Sequence, residues 1–233
     1  MTPKTFVSAL AAAKLPSVFN PWRDRCSIHD RSDAAARRRS NLRGMLEASL
    51  DAQVETIWIA RDLGYRGGRR TGVPLTDEVH LTHASALMGG IELERATQGP
   101  EVAERTAAIV WQVLGRIGQP VMLWNVFPFH PHDADDPMSN RCHSRAEREE
   151  SWPLLQALVS MVQPKRIVAI GRDAHLALAG LETEVIAIRH PSYGGQREFK
   201  DGMYGLYGID TDPVVSPELP LRPSYAATAR AFA

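Results

Sequence analysis

Three chemically distinct side chains stand just past apolar runs in this sequence. Asp62 follows "ETIWIA" and Arg61, Asn125 ends "PVMLWN", and His190 follows "EVIAIR". An aspartate can orient or deprotonate a water, and it can balance positive charge formed during bond cleavage. A side-chain amide offers both a donor and an acceptor, so it can read the edge of a nucleobase. A neutral imidazole can donate a hydrogen bond to an oxygen that gains negative charge. His190 is followed by Pro191, which fixes the local backbone, then by Ser192, Tyr193 and two glycines that let a ligand approach closely. Each residue also has a plainer reading. Asp62 can be a turn acid, Asn125 a strand-end amide satisfying loop backbone, and His190 a structural histidine.

The loop after Asp62, "GYRGGRRTGVPLTDE" (Gly64 to Glu78), brings Arg66, Arg69 and Arg70 to a glycine-rich turn. There they are placed to meet phosphates. The triplet Arg37 to Arg39 reads as the solvated face of a helix. The segment "FHPHDADDP…NRCH" carries His130, His132, Asp133, Cys142 and His143. Its spaced His-x-His could bind zinc, but the pattern matches no compact ligand set, so a loop is the preferred reading and no metal is expected.

These residues need a scaffold that brings distant chain segments to one edge. Four short runs rich in β-branched residues read as buried strands: Glu55–Ala60, Pro120–Asn125, Arg166–Gly171 and Glu184–Arg189. Helical patterns lie between them, over 31–52, 99–118, 144–164 and 173–181. Pro153 falls inside the third pattern and predicts a helix start or break there. Trp22, Trp111 and Trp152 read as core or helix-packing residues. Strand–helix alternation predicts one α/β domain: a four-stranded parallel sheet with helices on both faces. In such sheets ligands bind where loops leave the carboxyl ends of the strands, which is where Asp62, Asn125 and His190 fall. The expected division is an N-terminal helical segment (1–54), the α/β domain (55–212) and a C-terminal tail (213–233).

Composition narrows the function classes. Lys plus Arg and Asp plus Glu both number 27, for a formal net charge of zero, so nucleic-acid binding must come from local patches. The two cysteines, Cys26 and Cys142, suit a reducing compartment and are too few for a four-cysteine iron–sulfur cluster. No apolar run approaches the ~20 residues of a membrane span, and the alanine-rich "SALAAAKLPS" reads as a surface segment rather than a targeting peptide. The expected location is the cytoplasm. Oligomeric state is not legible.

In this order and on these strand ends, "GYRGGRRTGVPLTDE", "LWNVFPFHP" and "RHPSYGG" resemble the uracil-DNA glycosylase superfamily, over roughly Trp58 to Gln196. The asparagine-bearing strand end is similar to the "TNV…RP" segment of that superfamily's iron–sulfur branch. The resemblance implies an enzyme that flips a damaged base, uracil foremost, out of DNA and hydrolyses its N-glycosidic bond, the first step of base excision repair. The cluster cysteines of the iron–sulfur branch are missing, so no cofactor is expected. Asp62 falls on the water-activating aspartate, His190 on the histidine that bonds the uracil carbonyl, and Asn125 on the asparagine that bonds the base edge. Leu75 lies where relatives often stack a phenylalanine, and Tyr65 is the candidate for blocking the thymine methyl. Ser192, Tyr193, Gly194 and Gln196 fall on the loop that enters the duplex. Ala60 and Leu63 depart from the usual glycine and proline. Two other readings stay open: a DNA-binding member with weak or lost catalysis, and a small-molecule nucleoside or nucleotide enzyme. The absence of a G-x-G-x-x-G fingerprint speaks against the second.

Overall fold

The computed structural model describes residues 1–210; the predicted C-terminal tail (213–233) lies outside them. Among the described residues, eight helices and six strands follow the order α1 (Pro3–Ala12), β1 (Val18–Phe19), α2 (Ala34–Asp51), β2 (Thr56–Asp62), α3 (Gly68–Thr71), α4 (Leu81–Leu87), α5 (Arg105–Ile117), β3 (Met122–Phe127), β4 (His130–Pro131), α6 (Arg145–Val162), β5 (Arg166–Ile170), α7 (Arg172–Ala177), β6 (Glu184–Ile188) and α8 (Gln196–Tyr207).

Four parallel strands form the main sheet in the order β3-β2-β5-β6. They match the four predicted runs to within a few residues. Successive side chains of a strand point to opposite faces, and the core divides accordingly. Ile57 and Ile59 face one hydrophobic cluster with Met122, Trp124 and residues of α1, α2 and α6. Trp58 and Ala60 face a second, with Leu123, Val168 and residues of α4, α5 and α8. Burial on both faces is why the strands read as continuous apolar runs rather than alternating ones. Of the predicted packing residues, Trp22 and Trp111 are buried and Trp152 packs partly buried on the first cluster.

The structure differs from the sequence reading in four places. The alanine-rich N-terminus is a capped helix, α1, with Phe6, Val7 and Leu10 buried. A two-residue antiparallel pair, β1 with β4, sits beside the main sheet. Helix α6 runs unbroken through Pro153. That proline is on the exposed face, where the carbonyl it leaves unbonded can meet water. Arg38 is not a solvated helix residue: it is fully buried and pairs with the equally buried Asp30, while its Nε donates to the Arg70 carbonyl at 3.0 Å. Among the described residues no helix is long and apolar enough to cross a membrane.

Removing one partner of a buried ion pair strands the other charge. Arg38→Ala should therefore lower the unfolding free energy by about 3–5 kcal/mol. Urea denaturation would show this as a lower midpoint at unchanged slope; a midpoint within error of the parent would contradict it.

Candidate active site

All four main strands run the same way, so their carboxyl ends share one edge. A cavity of ≈ 580 Å³ opens there. Its walls come from the ends of β2 (Ala60 to Gly64) and β5 (Ile170, Gly171), the loop after β6 (Arg189, His190, Ser192, Tyr193), the segment before α6 (Asn140 to Cys142), and Leu75 and Glu104. That size suits a single small organic group.

Asp62 is the last residue of β2 and its side chain is only 9% exposed. Arg61 Nε donates to Oδ2 at 2.7 Å, and His143 Nδ1 bonds Oδ1. Arg61 also reaches Asp173 on α7 at 2.6 Å. The carboxylate is thus gripped by an arginine and an imidazole brought from the segment before α6.

His190 lies across the same cavity. The Ser192 backbone N–H donates to its Nδ1 at 3.1 Å, and the Ser192 hydroxyl lies 2.7 Å from that nitrogen. An amide nitrogen can only donate, so Nδ1 must be the acceptor and a neutral ring carries its proton on Nε2. Burial, followed by the positive fields of Arg61 and Arg189, pushes the His190 pKa down to about 4. The ring is therefore neutral at physiological pH, and its donor, Nε2–H, has no partner among the described residues. Gly171 backs it: φ is +94°, and a β-carbon there would stand 3.1 Å from His190 Cβ. Glycine meets both requirements at once.

Asn125 does not line the cavity, contrary to its expected place. It is fully buried beneath the strand ends, where Nδ2 donates to the Asp62 backbone carbonyl at 3.0 Å. Its Oδ1 is buried without a partner. In the sheet it pairs in register with Ala60, and every residue of β3 is buried. Tyr65 is also outside the lining; its hydroxyl accepts from Arg66 Nε at 2.7 Å on the outer side of the loop. Leu75 does line the cavity, with φ at +55°.

The arginine-rich loop folds inward rather than out. Arg69 is 2% exposed; its guanidinium lies over the Phe19 ring and donates to the Pro137 carbonyl. Arg70 is 7% exposed and pairs with buried Glu78 at 3.1 Å. Both are committed to internal partners, so the expected phosphate contacts do not fit them. Arg66 remains exposed. Ser192 and Tyr193 line the cavity rim, and Tyr193 is 96% exposed at φ +51°. Gly194 completes the turn at φ +80°, and Gln196 begins α8.

Four participants were not singled out from the sequence. His143 appeared only as one member of a loop rich in histidines and acids. Arg172 and Arg189 line the cavity exposed, without a partner among the described residues. Glu104, the N-cap residue of α5, also lines it. An acid at a helix start carries no distinguishing signal, because that is where acids commonly sit. His130 is buried, with Nε2 donating to the Ser139 carbonyl at 2.9 Å; burial drives its pKa down to about 3. Among the described residues no three His, Cys, Asp or Glu side chains cluster closely enough to hold a metal ion.

A four-stranded parallel sheet flanked by helices, whose strand ends share one polar cavity lined by His190 and Asp62, defines an α/β fold. The model of the uracil DNA glycosylase superfamily matches residues 49–204, and the chain belongs to that superfamily. Among solved structures, it is similar to wild-type SMUG2 from Pedobacter heparinus, with a TM-score of 0.63 and 12% identity, covering 89% of this chain and 97% of that one. At that identity the likeness concerns the fold. No curated protein sequence matches the chain.

The tautomer assigned to His190 can be checked directly. Nitrogen-15 NMR of the imidazole should show a neutral ring protonated at Nε2 from about pH 8 down to about pH 5, with the transition near 4. A midpoint near the ordinary histidine value of about 6.5 would contradict the burial argument.

Proposed function

We propose that the protein is a DNA glycosylase that flips a damaged base, uracil foremost, into this cavity and hydrolyses its N-glycosidic bond. The observation that carries the reading is the neutral His190, its Nε2–H without a partner among the described residues, in the wall of the cavity that Asp62 also lines. Membership of the superfamily supports the same reaction class.

Breaking the bond leaves negative charge on the base and positive charge on the sugar. The Nε2–H of His190 would donate to a carbonyl oxygen of the departing base as charge builds there. A low pKa keeps the ring a neutral donor, so no proton transfer is needed. Asp62 would face the sugar, balancing its charge and orienting the attacking water. Arg61 and His143 hold its carboxylate in place, and Asn125 holds its backbone, so the group is pre-positioned. Leu75 offers an apolar wall against the base. Tyr193 is the side chain placed to enter the gap left in the duplex, offsetting part of the few kcal/mol lost on unstacking. Phosphate contacts fall to Arg66, Arg172 and Arg189, the arginines left exposed near the rim.

One observation favours a second reading, a member with weak catalysis. Both Asp62 oxygens are already engaged, so a water must share an oxygen with Arg61 or His143.

Alkali cleavage of labelled oligonucleotides carrying uracil, hypoxanthine or xanthine separates these. The main reading expects strand breaks at one or more lesions, and a fall of roughly 100-fold or more in single-turnover rate for Asp62→Asn with DNA binding retained. Base-selective binding without strand breaks would leave only the second reading. Arg189→Ala should reduce the salt slope of DNA binding by about one, while Arg69→Ala leaves it unchanged. Equal slopes for Arg189→Ala and the parent would remove that arginine from the phosphate contacts.

A further inference from the structure

The cavity contains a carboxyl with no part in the mechanism above. The Glu104 backbone N–H donates to Oδ2 of the fully buried Asp77 at 2.6 Å, which fixes where the side chain starts. From there the side chain lies along the loop after β2. A β-carbon at either Gly64 or Gly67 would collide with a Glu104 carboxyl oxygen, so the glycine loop is shaped around this group. Yet the carboxyl has no hydrogen bond or ion pair to any described residue, and it lines the cavity. Asp77 is itself occupied by His80, whose Nδ1 lies 2.6 Å from Oδ1.

An acid with a close-fitting seat and no internal partner is poised for a ligand. We propose that Glu104 reads the edge of the flipped base, accepting the ring N–H that lies beside a carbonyl in a lactam base such as uracil. This rests on the glycosylase reading above. It assigns to Glu104 discrimination expected of Asn125, which is not among the residues lining the cavity. His190 Nε2–H would take a carbonyl oxygen, and the Glu104 carboxylate would take the neighbouring N–H. Cytosine presents a bare ring nitrogen instead, whose lone pair an ionised carboxylate repels.

Protonation would change this preference. A neutral carboxyl donates through O–H and accepts through C=O, which matches the ring nitrogen and amine of cytosine. Burial, and then the charge of Asp77, push the Glu104 pKa up to about 7, with Arg66 opposing them. Asp77 from the loop before α4 and Arg66 from the loop after β2 are the charged side chains whose fields act on it. Uracil-over-cytosine selectivity should therefore be high above pH 7 and narrow as the pH falls through it.

The linkage has a definite sign. A carboxyl whose folded value is raised supports the fold in its protonated state. That support is lost as pH rises through about 7. Glu104→Gln should then melt at a higher temperature than the parent at alkaline pH and show no such advantage below about pH 5.

The test is fluorescence-anisotropy binding of oligonucleotides carrying 2′-fluoroarabino-uridine or 2′-fluoroarabino-cytidine. Their fluorine disfavours the sugar cation, so the base stays attached. For the parent, the ratio of uracil to cytosine affinity should be about ten-fold larger at high pH than at low pH, with the change centred near neutrality. For Glu104→Gln the ratio should be the same at both ends. A parent ratio that does not vary with pH overturns the proposal, as does a Glu104→Gln profile matching the parent or a variant less thermostable at every pH. The parent profile decides even if the variant folds poorly. Excision of natural uracil is scored separately: pH-dependent base selection without excision removes catalysis alone, and excision with pH-insensitive selection removes Glu104 alone.

Discussion

The grip on Asp62 is the interaction on which the site depends. β2 is an inner strand, paired with β3 on one side and β5 on the other, so its last residue is carried on a rigid track. Three other groups then close on that residue. Asn125 reaches from β3 to its backbone, Arg61 takes one carboxylate oxygen, and His143 takes the other. An aspartate with 9% of its side chain exposed loses most of its hydration, and these charge-assisted bonds replace it. The same contacts tie the segment before α6 to the sheet edge. Arg61 extends the network to α7 through Asp173. Position and electrostatics at Asp62 are thus one property of the fold.

The glycine-rich loop shows the same economy of construction. Glu78 is buried and satisfied by Arg70, Thr97 and the Val102 N–H, while Asp77 holds His80 and the Glu104 N–H. Arg38 crosses from α2 to the Arg70 carbonyl and to Asp30. A polar loop packed this deeply must satisfy its charges internally, since each unpaired one would carry a desolvation cost of several kcal/mol. Its arginines face inward for that reason.

The sheet was legible because buried parallel strands leave a local mark: "TIWIA" and "RIVAI" are apolar whichever way their neighbours lie. The shared edge followed from topology alone, and it placed Asp62 and His190 in one cavity. Direction was the part that local sequence does not encode. Arg69 and Arg66 are three residues apart in one glycine-rich segment, yet one lies over the Phe19 ring and the other in solvent. Asp62 ends β2, whereas Asn125 lies two residues short of the end of β3, a strand buried along its whole length. Pro153 read as a break because its exposure, which makes it tolerable, depends on how α6 packs. Glu104 left no trace, since its importance lies in Gly64 and Gly67, some forty residues earlier, making room for it.

Dehydration acts in opposite senses on two of the titratable groups that line the cavity, His190 and Glu104. It lowers the His190 pKa to about 4 and raises that of Glu104 to about 7. Both shifts have the same physical cause, the cost of a charge in a poorly hydrated wall. The imidazole is therefore held firmly neutral near pH 7, while the acid sits close to its midpoint. A neutral donor on one side and an acid balanced between two hydrogen-bonding patterns on the other form a reader of donor–acceptor order rather than of net charge. Nucleobases are themselves neutral and differ chiefly in that order. Asp62, by contrast, is an anion whose carboxylate is fixed by two internal partners. In the reaction proposed for this cavity, only the sugar becomes cationic, and a fixed anion is the group that such a cation requires.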